Sequence, residues 1–134
     1  MADSFDLEIA TPERLLLKEQ VNELQIPGKE GYLGILPGHA ALLSELGTGF
    51  LSYTCGGSKR YLSIHGGFME VLPDQVRVLA NSAEKAEEID LERARKDLQK
   101  AQEQVMNPAL GVDPAVALDS MAAAQARIDA AEKK

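Results

Sequence analysis

The chain has a single cysteine, only two histidines, and fewer cations than anions. Each scarcity closes off a class of function. Cys55 has no second cysteine to bond, so no intramolecular disulfide can form. No group of Cys and His stands at metal-ligand spacing, and no metal is expected. Fourteen Lys and Arg against twenty-one Asp and Glu leave a net charge of −7. A chain that grips nucleic acid carries a basic face, so none is expected as a partner. No apolar run approaches the ~20 residues that span a bilayer. The opening Met-Ala-Asp-Ser-Phe-Asp lacks a basic region and an apolar stretch, so neither a signal peptide nor a transit peptide is expected. Any membrane association would come through a partner. Catalytic groupings are missing too. Gly31-x-x-Gly34 lacks the Lys-Ser/Thr of a phosphate loop, and Ser44 and Ser63 have no nucleophile-elbow context. Nothing sets His39 or His65 beside a carboxylate for acid–base work, and both read as structural. No catalytic residue is expected.

What is present falls into two halves. Ten of the eleven glycines precede residue 85, whereas six alanines precede it and twelve follow. Glycine-punctuated sequence favours strands and turns, and alanine-rich sequence favours helix. The expected units are a β-sandwich over residues 1–84 and a helical hairpin over 85–134.

In the first unit Phe5, Leu7 and Ile9 alternate with Asp6 and Glu8, the period of a half-buried strand. Leu15–Leu17 reads as a second strand. The apolar phase slips between Val21 and Leu24, which predicts a bulge. Residues 49–55, 59–65, 68–72 and 75–80 read as further strands, with turns at Gly56-Gly57, Gly66-Gly67 and Pro73-Asp74. Strands of about six residues with such turns predict an antiparallel sandwich or flattened barrel.

In the second unit Leu91, Ala94, Leu98, Ala101 and Val105 lie at helical spacing. Asn107-Pro108 stops that helix. Asp113-Pro114 starts another, in which Leu118, Met121, Ala124, Ile128 and Ala131 form the seam. The fold class is therefore α+β: an N-terminal antiparallel β-sandwich followed by a C-terminal antiparallel two-helix hairpin. A seam made mostly of alanine buries little area, so the hairpin is expected to be held loosely.

Residues 26–47 are dense in glycine and proline yet rich in Leu and Ile, which marks a shaped, ordered surface. Within it, Gly31-x-x-Gly34-Ile35-Leu36-Pro37-Gly38-His39-Ala40-x-Leu42-Leu43 resembles the core motif of the epsilon subunit of F-type ATP synthases. The resemblance extends over the whole chain. It implies a non-catalytic central-stalk subunit of a proton-translocating synthase, joining the gamma subunit to the c-subunit ring. It implies a loop facing the ring, here Glu30, Gly31, Tyr32 and His39. It also implies helices that fold down on the sandwich or extend to the alpha and beta subunits and inhibit ATP hydrolysis. Such a subunit is monomeric when isolated. It sits on the cytoplasmic face of the bacterial plasma membrane only through the complex.

Ile89-Asp90-Leu91-Glu92-Arg93-Ala94 is similar to the Ile/Leu-Asp-x-x-Arg-Ala motif with which some members bind ATP. The resemblance thus implies Ile89, Asp90, Arg93 and Ala94 as a site for regulatory ATP, with no cofactor required. Members with the fuller cluster use more arginines. Here the further cations are Lys100 and Arg127. From the residues alone Asp90 is equally a helix N-cap and Arg93 a solvated charge. The other reading of the chain is a free-standing β-sandwich binding module whose hairpin dimerises. Size in solution separates the two.

Overall fold

Strands and helices account for most of residues 3–133, which this computed structural model describes. Met1, Ala2 and Lys134, at the outer ends of the two expected units, lie outside the described residues. Strand β1 (Phe5–Ala10) buries Phe5, Leu7 and Ile9 and turns Asp6 outward, as the alternation requires. It pairs antiparallel with β2 (Leu15–Val21). The expected bulge after Val21 is instead a break at Asn22, where β2 ends and β3 (Glu23–Gly28) begins. The Asn22 N–H donates to the Thr54 carbonyl at 2.7 Å, and its side-chain oxygen accepts from the Gly56 N–H at 3.1 Å. Anchored there, the chain stops pairing with β1 and β3 joins a later strand.

The glycine-rich stretch is more regular than its composition suggests. It contains β4 (Gly31–Ile35), and β5 (Leu42–Cys55) begins seven residues before the expected Gly49. Gly56 and Gly57, with φ of 56° and 86°, make the tight hairpin to β6 (Ser58–Leu72). Gly66-Gly67 is not a turn. The strand continues through it, and β6 is one element of 15 residues. A Cβ on Gly67 would lie 2.1 Å from the Leu79 carbonyl oxygen, so only glycine fits this close approach. Pro73-Asp74 does turn the chain, into β7 (Gln75–Lys85).

The seven strands form one sheet in the order β2-β1-β7-β6-β5-β3-β4. Neighbours are antiparallel with one exception, since β1 and β7 run parallel. The hairpin with β6 fixes the direction of β7, and β2 already occupies the other side of β1. The ladders skip at Gly47, Gly66 and Asn81, so β5, β6 and β7 each serve both layers of the sandwich. Between the layers lies one apolar core that includes Leu7, Leu24, Leu51, Leu62, Ile64 and Met69.

The helices follow a short 3-10 turn, Ala86–Glu88. Helix α1 (Leu91–Met106) is capped by Asp90, whose Oδ1 accepts from the Arg93 N–H at 3.1 Å. Asn107 ends it. Helix α2 (Pro114–Lys133) starts at the expected Asp113-Pro114, with Asp113 Oδ1 accepting from the Ala115 N–H at 2.8 Å. The α1 seam holds its place, with Ala94 and Ala101 buried. The α2 seam is only partly as expected. Leu118 is 54% exposed, while Ala117, Ala126 and Ala130 are buried beside Ala124, Ile128 and Ala131. Helix α2 lies across β5 and β6 on one side and against α1 on the other, so it buries two faces and not one stripe. Small side chains on both allow the close approach.

Candidate functional site

Two places hold all the candidate residues except His39. The first is the edge of the sandwich formed by the β3–β4 turn. Lys29 donates its backbone N–H to the Glu45 carbonyl at 3.0 Å, and its ammonium sits 2.7 Å from the Glu45 carboxylate. That hydrogen-bonded charge raises the lysine above its ordinary pKa. Glu30, Gly31 and Tyr32 line a cleft there with Leu43 and Glu45. Tyr32 is half structural. Its hydroxyl accepts from the Phe50 N–H at 3.1 Å, and its ring lies 5.3 Å from that of Phe50. Gly49 leaves the room, since a Cβ there would be 2.6 Å from the hydroxyl. Burial pushes the Tyr32 phenol upward.

His39 stands apart from this cleft. It closes a turn by donating its backbone N–H to the Leu36 carbonyl at 3.2 Å, with Gly38 at φ 81°. Its imidazole Nδ1 donates to the Ala40 carbonyl at 2.7 Å. The Gly38 N–H bonds the Pro73 carbonyl at 2.9 Å, which moors this turn to the β6–β7 turn. Leu36, Leu43 and Leu72 are exposed in this part of the chain.

The second place is the helical unit. Asp90 and Arg93 line one shallow surface hollow with Glu92, Lys96 and Asp97. Ile89 and Ala94 do not face it. Ile89 joins Ala130 and Ala131 in a small apolar cluster against Phe50 and Leu91, and Ala94 is fully buried. The motif thus divides between polar members on the surface and apolar members that hold the helix start. Around the corner, a groove of roughly 330 Å³ runs between the helices, with Lys100 and Arg127 among its walls and Ala101 and Ala124 in its floor.

Arg127 joins three elements. Its Nη1 donates to Asp97 of α1 at 3.3 Å. Its buried Nε lies 2.7 Å from a Glu84 carboxylate oxygen of β7, an ion pair whose N–H is not aligned as a hydrogen bond. His65 on β6 adds another tie. Its Nε2 donates to Asp119 of α2 at 3.1 Å, while Nδ1 lies 3.2 Å from the Thr48 hydroxyl. Finally, the Lys133 ammonium stands 4.6 Å from the centre of the Phe50 ring. The sequence reading did not single out Phe50, Glu84, Asp97 or Asp119. Asp97 carried one signal, its place four residues after Arg93 on the same helical face. Glu84 and Asp119 carried none, because their partners are distant in sequence.

The family comparison bears on both places. The model of the ATP synthase Delta/Epsilon chain beta-sandwich domain matches residues 4–86. The chain belongs to this family. An ATP synthase epsilon chain of Solibacter usitatus is 58% identical over 134 residues, covering 100% of both chains. One of Koribacter versatilis is 51% identical over 105 residues, covering 78% of this chain and 74% of its own. Among solved structures, a chain of the Euglena gracilis mitochondrial ATP synthase, in an assembly of OSCP, F1 and c-ring, superposes with a TM-score of 0.80. It is 28% identical, over 98% of this chain and 83% of that one. The family model ends at residue 86, where β7 gives way to the 3-10 turn, yet the Solibacter relative is similar through the helices as well.

Proposed function

We propose that this chain is a non-catalytic central-stalk subunit of a proton-translocating ATP synthase. It couples the gamma subunit to the c-subunit ring through the sandwich, and it controls ATP hydrolysis through the helices. Epsilon-chain relatives over the full length support the assignment. One observation carries the division of labour. The helices rest on the sandwich through a small cluster of their own, Ile89, Ala130 and Ala131 against Phe50 and Leu91, separate from the strand core. A unit seated this way can leave without unfolding the rest. In this reading the Glu30–Tyr32 edge and the His39 turn face the ring, and the released helices reach the alpha and beta subunits. The subunit is held at the cytoplasmic face of a bacterial plasma membrane by the complex. No helix among the described residues is long and apolar enough to cross a membrane itself.

ATP serves here as a regulatory ligand of the folded-down helices. Arg93 contacts phosphate oxygens, and Asp90 accepts from the adenine amino group or the ribose. Bound ATP braces the two helices and stabilises the docked form by mass action. The decisive experiment reconstitutes the synthase with the chain ended after Glu88, which spares β7 and the buried Ala86. Coupled synthesis should persist while control of hydrolysis changes. Loss of coupling, or unchanged hydrolysis, would refute the assignment of roles. For the nucleotide, ATP titrated into wild type and Arg93→Ala should give heat only with the former.

A further inference from the structure

We infer that Asp97 sets the affinity of the interhelical groove for a polyphosphate, by occupying the one cation that is already held in place to receive it. The inference rests on the nucleotide reading above. Arg93, Asp97 and Lys100 lie at positions i, i+4 and i+7, on one face of α1. Asp97 borders both the hollow that holds Arg93 and the groove that holds Lys100 and Arg127. Among the described residues, neither Arg93 nor Lys100 takes part in an ion pair. Arg127 does, and in an asymmetric way.

Glu84 grips Arg127 from beneath. Its carboxylate meets the buried Nε on the side of the sheet, where Arg127 also lines a small hollow with Ser63 and Ala126. Asp97 meets the opposite end, Nη1, from the groove side. The two carboxylates therefore do different things. Glu84 fixes where the guanidinium sits. Asp97, 48% exposed, covers the donor that faces the groove. A phosphate entering between Lys100 and Arg127 must displace that carboxylate and then remain beside its negative charge. Replacing Asp97 by asparagine keeps the shape and removes the charge. Glu84 still holds the guanidinium, which is then ready to form charge-assisted bonds to phosphate oxygens.

The test is calorimetric titration of ATP, and separately of inorganic tripolyphosphate, into the full chain and its variants. D97N should bind both ligands roughly tenfold more tightly than wild type, from the loss of one like charge a few ångströms from the phosphates. K100Q should bind both more weakly. The gain from D97N should disappear when Arg127→Gln is added, because the freed donor is then gone. Equal or weaker binding by D97N, with wild type still binding ATP, would overturn the inference and leave the nucleotide reading intact. A gain confined to ATP would overturn it as well, since Asp97 would then act on the nucleoside. No heat from either ligand with any of these proteins would remove both.

Discussion

The strand core and the helix seat are equally dry but unequally strong. Leu62 between the sheets and Ala130 under α2 are exposed by 1% and 0%. Burying a leucine side chain stabilises by roughly 1.5–3 kcal/mol, whereas an alanine contributes about one methyl group's worth, near 0.8 kcal/mol. The strand core is built of Leu, Ile, Val, Phe and Met, and the seat mainly of alanine. Fraction buried therefore says little about strength until the area of each side chain is counted. The seat is supplemented by contacts at its rim. Arg127–Glu84 and His65–Asp119 tie α2 to the sheet, whereas the exposed Arg95–Glu132 pair joins only the two helices and contributes about 0–1 kcal/mol.

Three substitutions sharpen the contrast. The largest effect belongs to the core. Leu62→Ala should lower unfolding stability by about 2–5 kcal/mol, with strands and helices lost together in a denaturant titration read by circular dichroism. Phe50→Ala comes next and should behave differently. Its ring carries the cluster of Ile89, Ala130 and Ala131, the contact with Tyr32 and the Lys133 cation. Docking should weaken by about 2 kcal/mol. Hydrogen exchange would then quicken at α1 and α2 amides and stay unchanged in β6 and β7. Equal acceleration in both would mean one cooperative unit and would erase the distinction between core and seat. The smallest effect is local. Asp90→Ala removes the cap on α1 at a cost of about 1 kcal/mol. Amides near Arg93 should fray, and Asp90→Asn should restore most of their protection.

The sequence disclosed what depends on neighbours along the chain. Period-two alternation marked β1, paired glycines marked the β5–β6 hairpin, and Asp90, Asn107 and Asp113 marked the helix ends where they occur. It misled where a local signal had a distant cause. Gly66-Gly67 resembles a turn, but Gly67 is demanded by the Leu79 and Ala80 backbone pressed against it, and Gly66 by its φ of 66° beside the Asn81 side chain. The slip after Val21 resembles a bulge, but Asn22 is claimed by the later β5–β6 hairpin. Leu118 fits a helical seam, yet α2 rotates to serve the sheet as well as α1 and leaves it outside. At the candidate site the motif residues Asp90 and Arg93, three apart on the helix start, share one surface hollow. The carboxylates that engage Arg127 come from β7 and α1, and no spacing rule joins those positions to it.

The uninterrupted run of β6 through Gly66 and Gly67 has a mechanical corollary. Residues that carry the helices, such as Ser63 and His65, share a continuous backbone with Leu72, beside the Pro73-Asp74 corner at the far end of the strand. A load applied at that corner travels to the underside of α2 along covalent bonds, without relying on slippage-prone contacts between two stacked sheets. The glycine pair bends this rod yet does not cut it.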